Sequence, residues 1–582
     1  MCDSLNFQPF MKRSAQRILI SGLKKYSDSI TSIAQKCVDG IWKRISLERA
    51  VQLVSCVLYQ HSFGLNMSNL HTVLNSPHLS HVHDYISGFT GKFPGGSTLI
   101  RRVPQITSFL SEELADLVQN VQDYFYCELG TRARNQYKKQ ILGSKKSVSP
   151  PFECFVGLLA PSKVFPTLEV VERGKLMPFF NAMMYVEVKR ISSTMELVGE
   201  IKEPDWDGED SVFRLAGMLG FVAGPPGKKK FYDNFSWIEA LIGDFNEFLN
   251  SQLTAFHVVD LTVTSVDTSN VPMDKRDTTG SKGTGSRGTF FGHKTSIGAD
   301  SKCIPLTQEL ETGRVHDALL FPATLDAMNE LALDSDQQIW FVEADAGYST
   351  APVVDAITQV EAIPFVDLNP KNSSRLRDLK NASNDLREYS KKAIKNGLTK
   401  SERRAWLEEV REISRSSDHP LTIDEKCAAV KKTLRKYAER AKRKGLNHNE
   451  RRTEKKLRKR VMNLRRELRL HGTTSEKKRG LMLFGFGTIE WQLIYSIRGQ
   501  NEGINGIIKK RGNVIGDGQH TSWIRGNRTV KNRLNAKIAM MKAISLVYFL
   551  TTGQTNHALR VYYNWRFNNQ SFMLFFIVIY CR

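Results

Sequence analysis

Residues 257–267 read HVVDLTVTSVD, and no other stretch says more about the architecture of this chain. The run is rich in β-branched and apolar residues, so it predicts a buried strand that ends at Asp267. A second run of this kind, QIWFVE at 338–343, leads directly to Asp345. The sequence therefore predicts two buried strands that each lead to an aspartate.

The pattern between and after these strands alternates strands with helices. Further strands are predicted at 290–298, 303–309 and 362–366, helices at 319–331 and 351–361, and a glycine-, threonine- and serine-rich loop at 277–289. The resulting order, β-β-β-α-β-α-β, indicates the α/β class, with a mixed sheet that carries helices on its faces.

Asp267 and Asp345 share a context, because each follows the carboxyl end of an apolar strand, where ligand sites of α/β sheets gather. With a third acid they could chelate two Mg²⁺ or Mn²⁺ ions, which orient a nucleophile for in-line attack on a phosphodiester. Taken singly, each aspartate also suits a turn or a helix cap. Four further acids compete with them, and the two within strands (Asp260 and Glu343) rank below the other two (Asp300 and Asp367).

A candidate third acid stands in the run YSIRGQNEGINGIIK at 495–509. Tyr495, Arg498, Glu502 and Lys509 are at offsets 0, 3, 7 and 14. On a helix these positions lie within about 60° of one another. Such a face can hold a metal through its carboxylate, phosphates through its cations and a base through its ring. A mixed-charge face is also often merely solvated.

The composition favours a polyanion as partner. The chain has 582 residues, 41% of them hydrophobic, and a formal net charge of +23. Its length indicates two to four domains. Such a positive excess suits phosphate neutralisation, with nucleic acid as the first candidate and a membrane surface as the second.

Several other classes are disfavoured by the sequence. It shows no secretory signal, no run of about 20 apolar residues and no Cys-x-x-Cys pair among its eight cysteines. We therefore expect a reducing cytoplasm and no membrane partner.

Most of the positive charge lies in one segment. Residues 371–480 contain 35 lysines and arginines against 15 aspartates and glutamates. Good helix formers dominate, so helices are predicted at 372–398, 400–416 and 422–470. The segment is interpreted as a phosphate-contacting arm or as a partly disordered basic insertion.

The rest of the chain divides around this segment. Residues 1–145 are predicted to be mainly helical, and short helices near 66–108 suit either a helix-turn-helix DNA reader or ordinary helix packing. The predicted regions are 1–145 (helical, possible DNA-binding), 146–254 (mixed linker and helices), 255–370 (first part of the core), 371–480 (basic helical insertion), 481–560 (second part of the core) and 561–582 (apolar C-terminal tail).

These motifs resemble those of the DDE transposases of bacterial and archaeal insertion sequences, which have a ribonuclease-H-like catalytic core. The spacing Tyr-x2-Arg-x3-Glu-x6-Lys at 495–509 is similar to the signature of one large group of them. Residues 344–348 (ADAGY) resemble the second-aspartate motif of that group, and 266–269 (VDTS) resemble the first. Residues 292–294 (GHK) and 313–317 (GRVHD) resemble neighbouring segments.

The resemblance implies a role for each matching residue. Asp267, Asp345 and Glu502 would be the catalytic residues and the ligands of two Mg²⁺ or Mn²⁺ ions. Tyr495, Arg498 and Lys509 would contact DNA near the cleaved element end. These six positions are the site residues that the sequence predicts.

The implied function is metal-dependent cleavage of double-stranded DNA at the terminal repeats of the element, followed by strand transfer into target DNA. The resemblance also implies a dimer or larger assembly on paired ends, in the cytoplasm of a prokaryote and associated with the nucleoid. The alternatives are a non-enzymatic DNA-binding remnant and a ribonuclease-H-like nuclease without strand transfer. One departure is that the insertion before Glu502 is usually β-rich in this group.

Overall fold

The computed structural model of the chain describes residues 13–62, 80–143, 170–189, 194–202, 221, 226–235, 238–285, 288–370, 373–417, 419–496 and 526–553. These residues fall into two compact units. One lies within residues 250–531, and the other combines parts of residues 1–249 and 532–582. The domain boundaries predicted from the sequence are finer than this division, and they stay predictions.

Before residue 256 the described residues form helices and no strand. The helices are α1 Arg13–Lys25, α2 Ser27–Gly40, α3 Leu47–Ser62, α4 Ser80–Gly88, α5 Gly96–Phe109, α6 Ser111–Gly143, α7 Val170–Lys189, α8 Thr194–Lys202, α9 Lys228–Phe235 and α10 Ile238–Ala255. In α3, Val51, Val54 and Leu58 recur at helical spacing, and all three are buried. The predicted helical N-terminal region is confirmed. Residues 66–71, part of the candidate DNA-reading motif, lie outside the described residues.

The sheet follows α10. Its strands are β1 Val263–Pro272, β2 Ser281–Gly285, β3 Gly288–Ala299, β4 Pro305–Thr312, β5 Phe341–Ala344 and β6 Ile363–Val366, with α11 Asp317–Asp334 between β4 and β5 and α12 Ala351–Gln359 between β5 and β6. Strand β3 pairs antiparallel with β1, β2 and β4, whereas β1, β5 and β6 run parallel. This arrangement confirms the predicted ribonuclease-H-like mixed sheet flanked by helices.

The predicted bounds of the first strand are wrong at both ends. Strand β1 begins at Val263, and the preceding residues form turns that include His257 with a φ of 52°. At its other end β1 continues to Pro272, because its pairing with β3 extends beyond Asp267, which lies opposite Ile297. At Asp267, strand β1 is therefore still paired with β3, whereas its pairing with β5 has already ended at Ser265.

The predicted loop at 277–289 is also partly wrong, because it contains β2 and the start of β3. Glycine also allows β3 to pair closely with β1. Gly292 has a φ of 148°, and a Cβ atom built on it would lie 2.1 Å from the carbonyl oxygen of Val271. Only glycine fits such a close approach of two strands.

The basic insertion is ordered and helical in its described residues. Its helices are α13 Ser374–Gly397, α14 Glu402–Arg415, α15 Ile423–Gly445, α16 His448–His471 and α17 Thr474–Gly480. The single helix predicted over 422–470 is wrong, since the chain turns between α15 and α16. Asn447 starts α16 with a capping box, in which its side chain accepts from the N–H of Glu450.

The insertion packs on the sheet instead of projecting from it. The ring of Trp406 in α14 lies 6.0 Å from that of Phe341 in β5. Lys426 in α15 is buried, and its ammonium donates to the carbonyl oxygens of Ile339, at 3.1 Å, and Glu361, at 2.8 Å. These contacts anchor α14 and α15 at the strands, so the interpretation as a partly disordered basic insertion is wrong for the described residues.

Two helices complete the described chain: α18 Ile489–Tyr495 and α19 Asn527–Thr552. By length and composition α19 is able to cross a membrane, but 78% of its most apolar window is buried inside the protein, as in a core helix. The C-terminal tail 561–582 lies outside the described residues.

Candidate active site

Three aspartates follow the same edge of the parallel part of the sheet. Strands β1 and β5 are paired with Ser265 opposite Glu343, so two residues further along Asp267 comes beside Asp345. Strands β5 and β6 are paired with Ala344 opposite Val366, and the next positions are Asp345 and Asp367. Neighbouring strands lie about 4.8 Å apart. By this register Asp267 and Asp345 occupy neighbouring positions on adjacent strands, and their role as site residues stays a prediction.

Backbone N–H groups orient both of these carboxylates. Oδ1 of Asp267 accepts from the N–H of Thr268 at 2.9 Å. Oδ1 of Asp345 accepts from the N–H of Gly347 at 2.6 Å, which caps the short 3₁₀ turn Ala346–Tyr348. A Cβ atom on Gly347 would lie only 2.8 Å from that oxygen, so glycine keeps the space beside the carboxylate. Both aspartates are half-buried.

Tyr348 connects the two segments that carry these carboxylates. It is buried, its ring centroid lies 5.3 Å from that of Phe321 in α11, and its hydroxyl is hydrogen-bonded to that of Thr268. Burial, together with the negative charges of Asp267 and Asp345, raises the pKa of Tyr348 well above its ordinary value. The tyrosine therefore stays neutral and links the turn after β5 to β1.

A buried lysine on β3, the strand next to β1, forms an ion pair with an aspartate of α11. Lys294 in β3, whose side chain is only 6% exposed, forms an ion pair with Asp317 at 2.6 Å. Asp317 is the first residue of α11. The segments 292–294 and 313–317, quoted above only as motifs, are therefore joined by a direct contact that their spacing in the sequence did not reveal.

Two of the competing acids are structural. Asp300 accepts hydrogen bonds from the N–H groups of Asp260, Lys302 and Ile304, and burial raises its pKa to about 6. Burial opposes the charge of Asp260, but its ion pair and hydrogen bonds with Arg411 of α14 outweigh this effect and lower its pKa. Asp260 precedes the start of β1, and Asp300 follows the end of β3. Both positions lie at the edge of the sheet opposite to that of Asp345. Glu343 is fully buried within β5.

Asp367, the remaining competitor, holds Tyr495. The tyrosine hydroxyl donates to Oδ2 of Asp367 at 3.2 Å, and Oδ1 accepts from the N–H of Leu368 at 2.8 Å. The tyrosine ring is stacked on Trp491 with centroids 4.2 Å apart, and the guanidinium of Arg387 lies 4.9 Å from its centroid. Tyr495 is only 7% exposed. Its described contacts are intramolecular, and its role as a DNA contact stays a prediction.

The other predicted residues, Arg498, Glu502 and Lys509, lie outside the described residues. Helix α18 ends at Tyr495 with Ser496 as its cap, so a continuous helix over 495–509 also stays a prediction. Within the described part of the chain, no three His, Cys, Asp or Glu side chains form a group able to hold a metal ion. Asp267 and Asp345 supply hard oxygen donors that suit a divalent ion, and they need a further ligand.

Comparison with known proteins gives one match. Residues 260–511 match the family model of the transposase DDE domain. The matched range contains Asp267, Asp345 and Glu502. No curated protein and no solved structure matches the chain.

Proposed function

We propose that this chain is a DDE transposase, which cleaves double-stranded DNA at the ends of an insertion sequence and transfers the freed strand into target DNA. The observation that carries the proposal is the register of the parallel strands. It puts Asp267 and Asp345 at neighbouring positions of adjacent strands, inside the range that the family model matches.

The roles of the chain's own residues follow from that edge. Asp267 and Asp345 hold divalent metal, which DDE transposases generally use, and Glu502 provides the third carboxylate. Bound metal supplies an activated nucleophile and neutralises charge on the leaving oxygen. The N–H groups of Thr268 and Gly347 fix the two aspartates, so that little reorganisation is needed when DNA binds.

The substrate is DNA, as the family implies. We propose that the terminal repeats of the element and the target DNA are the two substrates, and that a dimer or larger assembly brings paired ends together. We also propose Mg²⁺ or Mn²⁺ as the ion, two per site, and the prokaryotic cytoplasm, at the nucleoid, as the location. The net charge of +23 supports a polyanionic partner.

The test uses a duplex that carries the DNA flanking the gene, with Mg²⁺ and a supercoiled target. We expect cleavage at the element ends and joined products. Glu502→Gln and Asp345→Asn should lower the cleavage rate more than about 100-fold and leave DNA affinity unchanged. Asp334→Asn, at the exposed end of α11, is the matched control and should cleave like wild type.

Three outcomes would count against the proposal. Cleavage by Glu502→Gln at the wild-type rate would remove the catalytic assignment. Cleavage without joined products would indicate a nuclease that lacks strand transfer. DNA binding without any cleavage by the wild-type protein would indicate a non-enzymatic remnant.

A further inference from the structure

Helix α16 is fixed in place along one face. Glu454, Val461 and Leu468, seven residues apart, are buried. Glu454 forms an ion pair with Lys442 of α15 at 2.6 Å. Arg458 forms one with Glu490 of α18 at 2.6 Å. Both ion pairs tie α16 to its neighbours, and the helix cannot rotate about its axis without breaking these contacts.

The opposite face of α16 carries a row of cations. Its members are Arg452, Lys455, Lys456, Lys459 and Arg466, all exposed, and we call them the α16 stripe. At 100° per residue they lie within about 100° of arc, centred opposite the buried face. At 1.5 Å per residue the stripe is about 21 Å long.

The α16 stripe lacks compensating charge. No member forms an ion pair with an acid anywhere in the described part of the chain. Like charges three and four residues apart destabilise a helix, so the stripe opposes the stability of the element that carries it. The packing of the inner face offsets that cost and holds the cations in a straight, preformed row.

The chemistry of the row selects its partner. Residues 449–470 contain no phenylalanine, tyrosine, tryptophan or histidine, so the α16 stripe has no ring within its span on which an unpaired base could stack. A row of point charges without stacking groups suits the phosphates of a duplex, which repeat every 3.4 Å of axis along each strand. A length of about 21 Å corresponds to about six base pairs.

We propose that the α16 stripe binds the phosphate backbone of double-stranded DNA, independently of base sequence. This inference rests on the proposed function for the identity of the substrate and adds the surface that holds it. The insertion then has two faces with separate roles, since its inner face covers the sheet and its outer face grips DNA.

The experiment compares two variants of the full-length protein with equal loss of charge. The stripe variant replaces Arg452, Lys455, Lys456, Lys459 and Arg466 with glutamine. The control variant also introduces glutamine, at five cations that are already paired with carboxylates: Lys391, Lys392, Lys436, Arg440 and Lys478. Fluorescence anisotropy measures the affinity of each for a random 40-base-pair duplex over a range of KCl concentrations.

Each phosphate contact contributes about 0.9 to the slope of log affinity against log salt concentration. The stripe variant should therefore lose up to about 4.5 from that slope, and the control variant should lose less than about 1. Equal slope changes in the two variants would overturn the proposal. So would a stripe variant that loses affinity for a single-stranded oligonucleotide while keeping its duplex affinity.

Two further measurements keep the result specific. Circular dichroism and the thermal midpoint should match wild type for the stripe variant, because its substitutions lie on the exposed face. The control variant should cleave element ends at the wild-type rate, because its five cations have no role in the proposed DNA surface. If wild type does not cleave at all, the proposed function fails while the binding slopes still decide the role of the stripe.

Discussion

At the scale of single residues, the contact between Tyr495 and Asp367 joins α18 to the edge of the sheet. A hydrogen bond from a tyrosine to a carboxylate contributes about 1.5–3 kcal/mol, and here the ring is also enclosed by Trp491 and Arg387. The tyrosine thus fixes the end of α18, seven positions before Glu502 in the sequence.

We predict that Tyr495→Phe and Asp367→Asn each lower the free energy of unfolding by about 1–2 kcal/mol. The double variant should be less destabilised than the sum, with a coupling of about 1 kcal/mol, because both changes remove the same hydrogen bond. Chemical denaturation measures all three variants. Tyr389→Phe on α13 is the control, since no side-chain hydrogen bond of Tyr389 occurs among the described residues.

Additive effects would show that the two side chains act separately. A loss of DNA affinity in Tyr495→Phe with unchanged stability would instead restore the role that the family resemblance implies for this residue.

At the scale of elements, α13 and α15 cross at two glycines. A Cβ atom on Gly445 would lie 2.2 Å from the carbonyl oxygen of Ala393, and one on Gly397 would lie 2.3 Å from that of Ala441. The backbones therefore touch directly at this crossing. Gly445 is also the last residue of α15.

We predict that Gly445→Ala destabilises the protein by about 1–3 kcal/mol, because a methyl group cannot fit between the two backbones. Gly243→Ala is the control: it lies in α10 with nothing within 4 Å of a built Cβ atom, and alanine there should stabilise the helix by up to about 1 kcal/mol. Thermal unfolding measures both. An unchanged midpoint for Gly445→Ala would mean that the helices can move apart freely.

The positions of the strands are more predictable from the sequence than the pairing between strands. The apolar runs located β5 and β6 to within three residues, because buried strands need continuous apolar side chains. The extension of β1 past Asp267 depends on its pairing with β3, and a strand does not carry that information alone. The sequence likewise gives Asp367 only as a competing acid, because its place beside Asp345 follows from the pairing of β5 with β6.

At the scale of the whole molecule, the insertion begins and ends at the same edge of the sheet. The chain leaves β6 at Asp367, passes through α13 to α17 on the sheet, and returns through α18 to the same residue, 128 positions later. The sequence shows a gap of 157 positions between Asp345 and Glu502. The Tyr495 contact closes most of that gap in space, which sequence spacing alone could not show.

We propose that Asp267, Asp345 and Glu502 converge on one metal site, and iron-directed cleavage of the protein tests this convergence. Fe²⁺ bound in place of Mg²⁺, with ascorbate and peroxide, cuts the polypeptide close to its ligands. We expect cuts near residues 267, 345 and 502, suppressed by excess Mg²⁺ and lost in Asp345→Asn. Cuts that spare the 502 region, or that persist unchanged in Asp345→Asn, would contradict it.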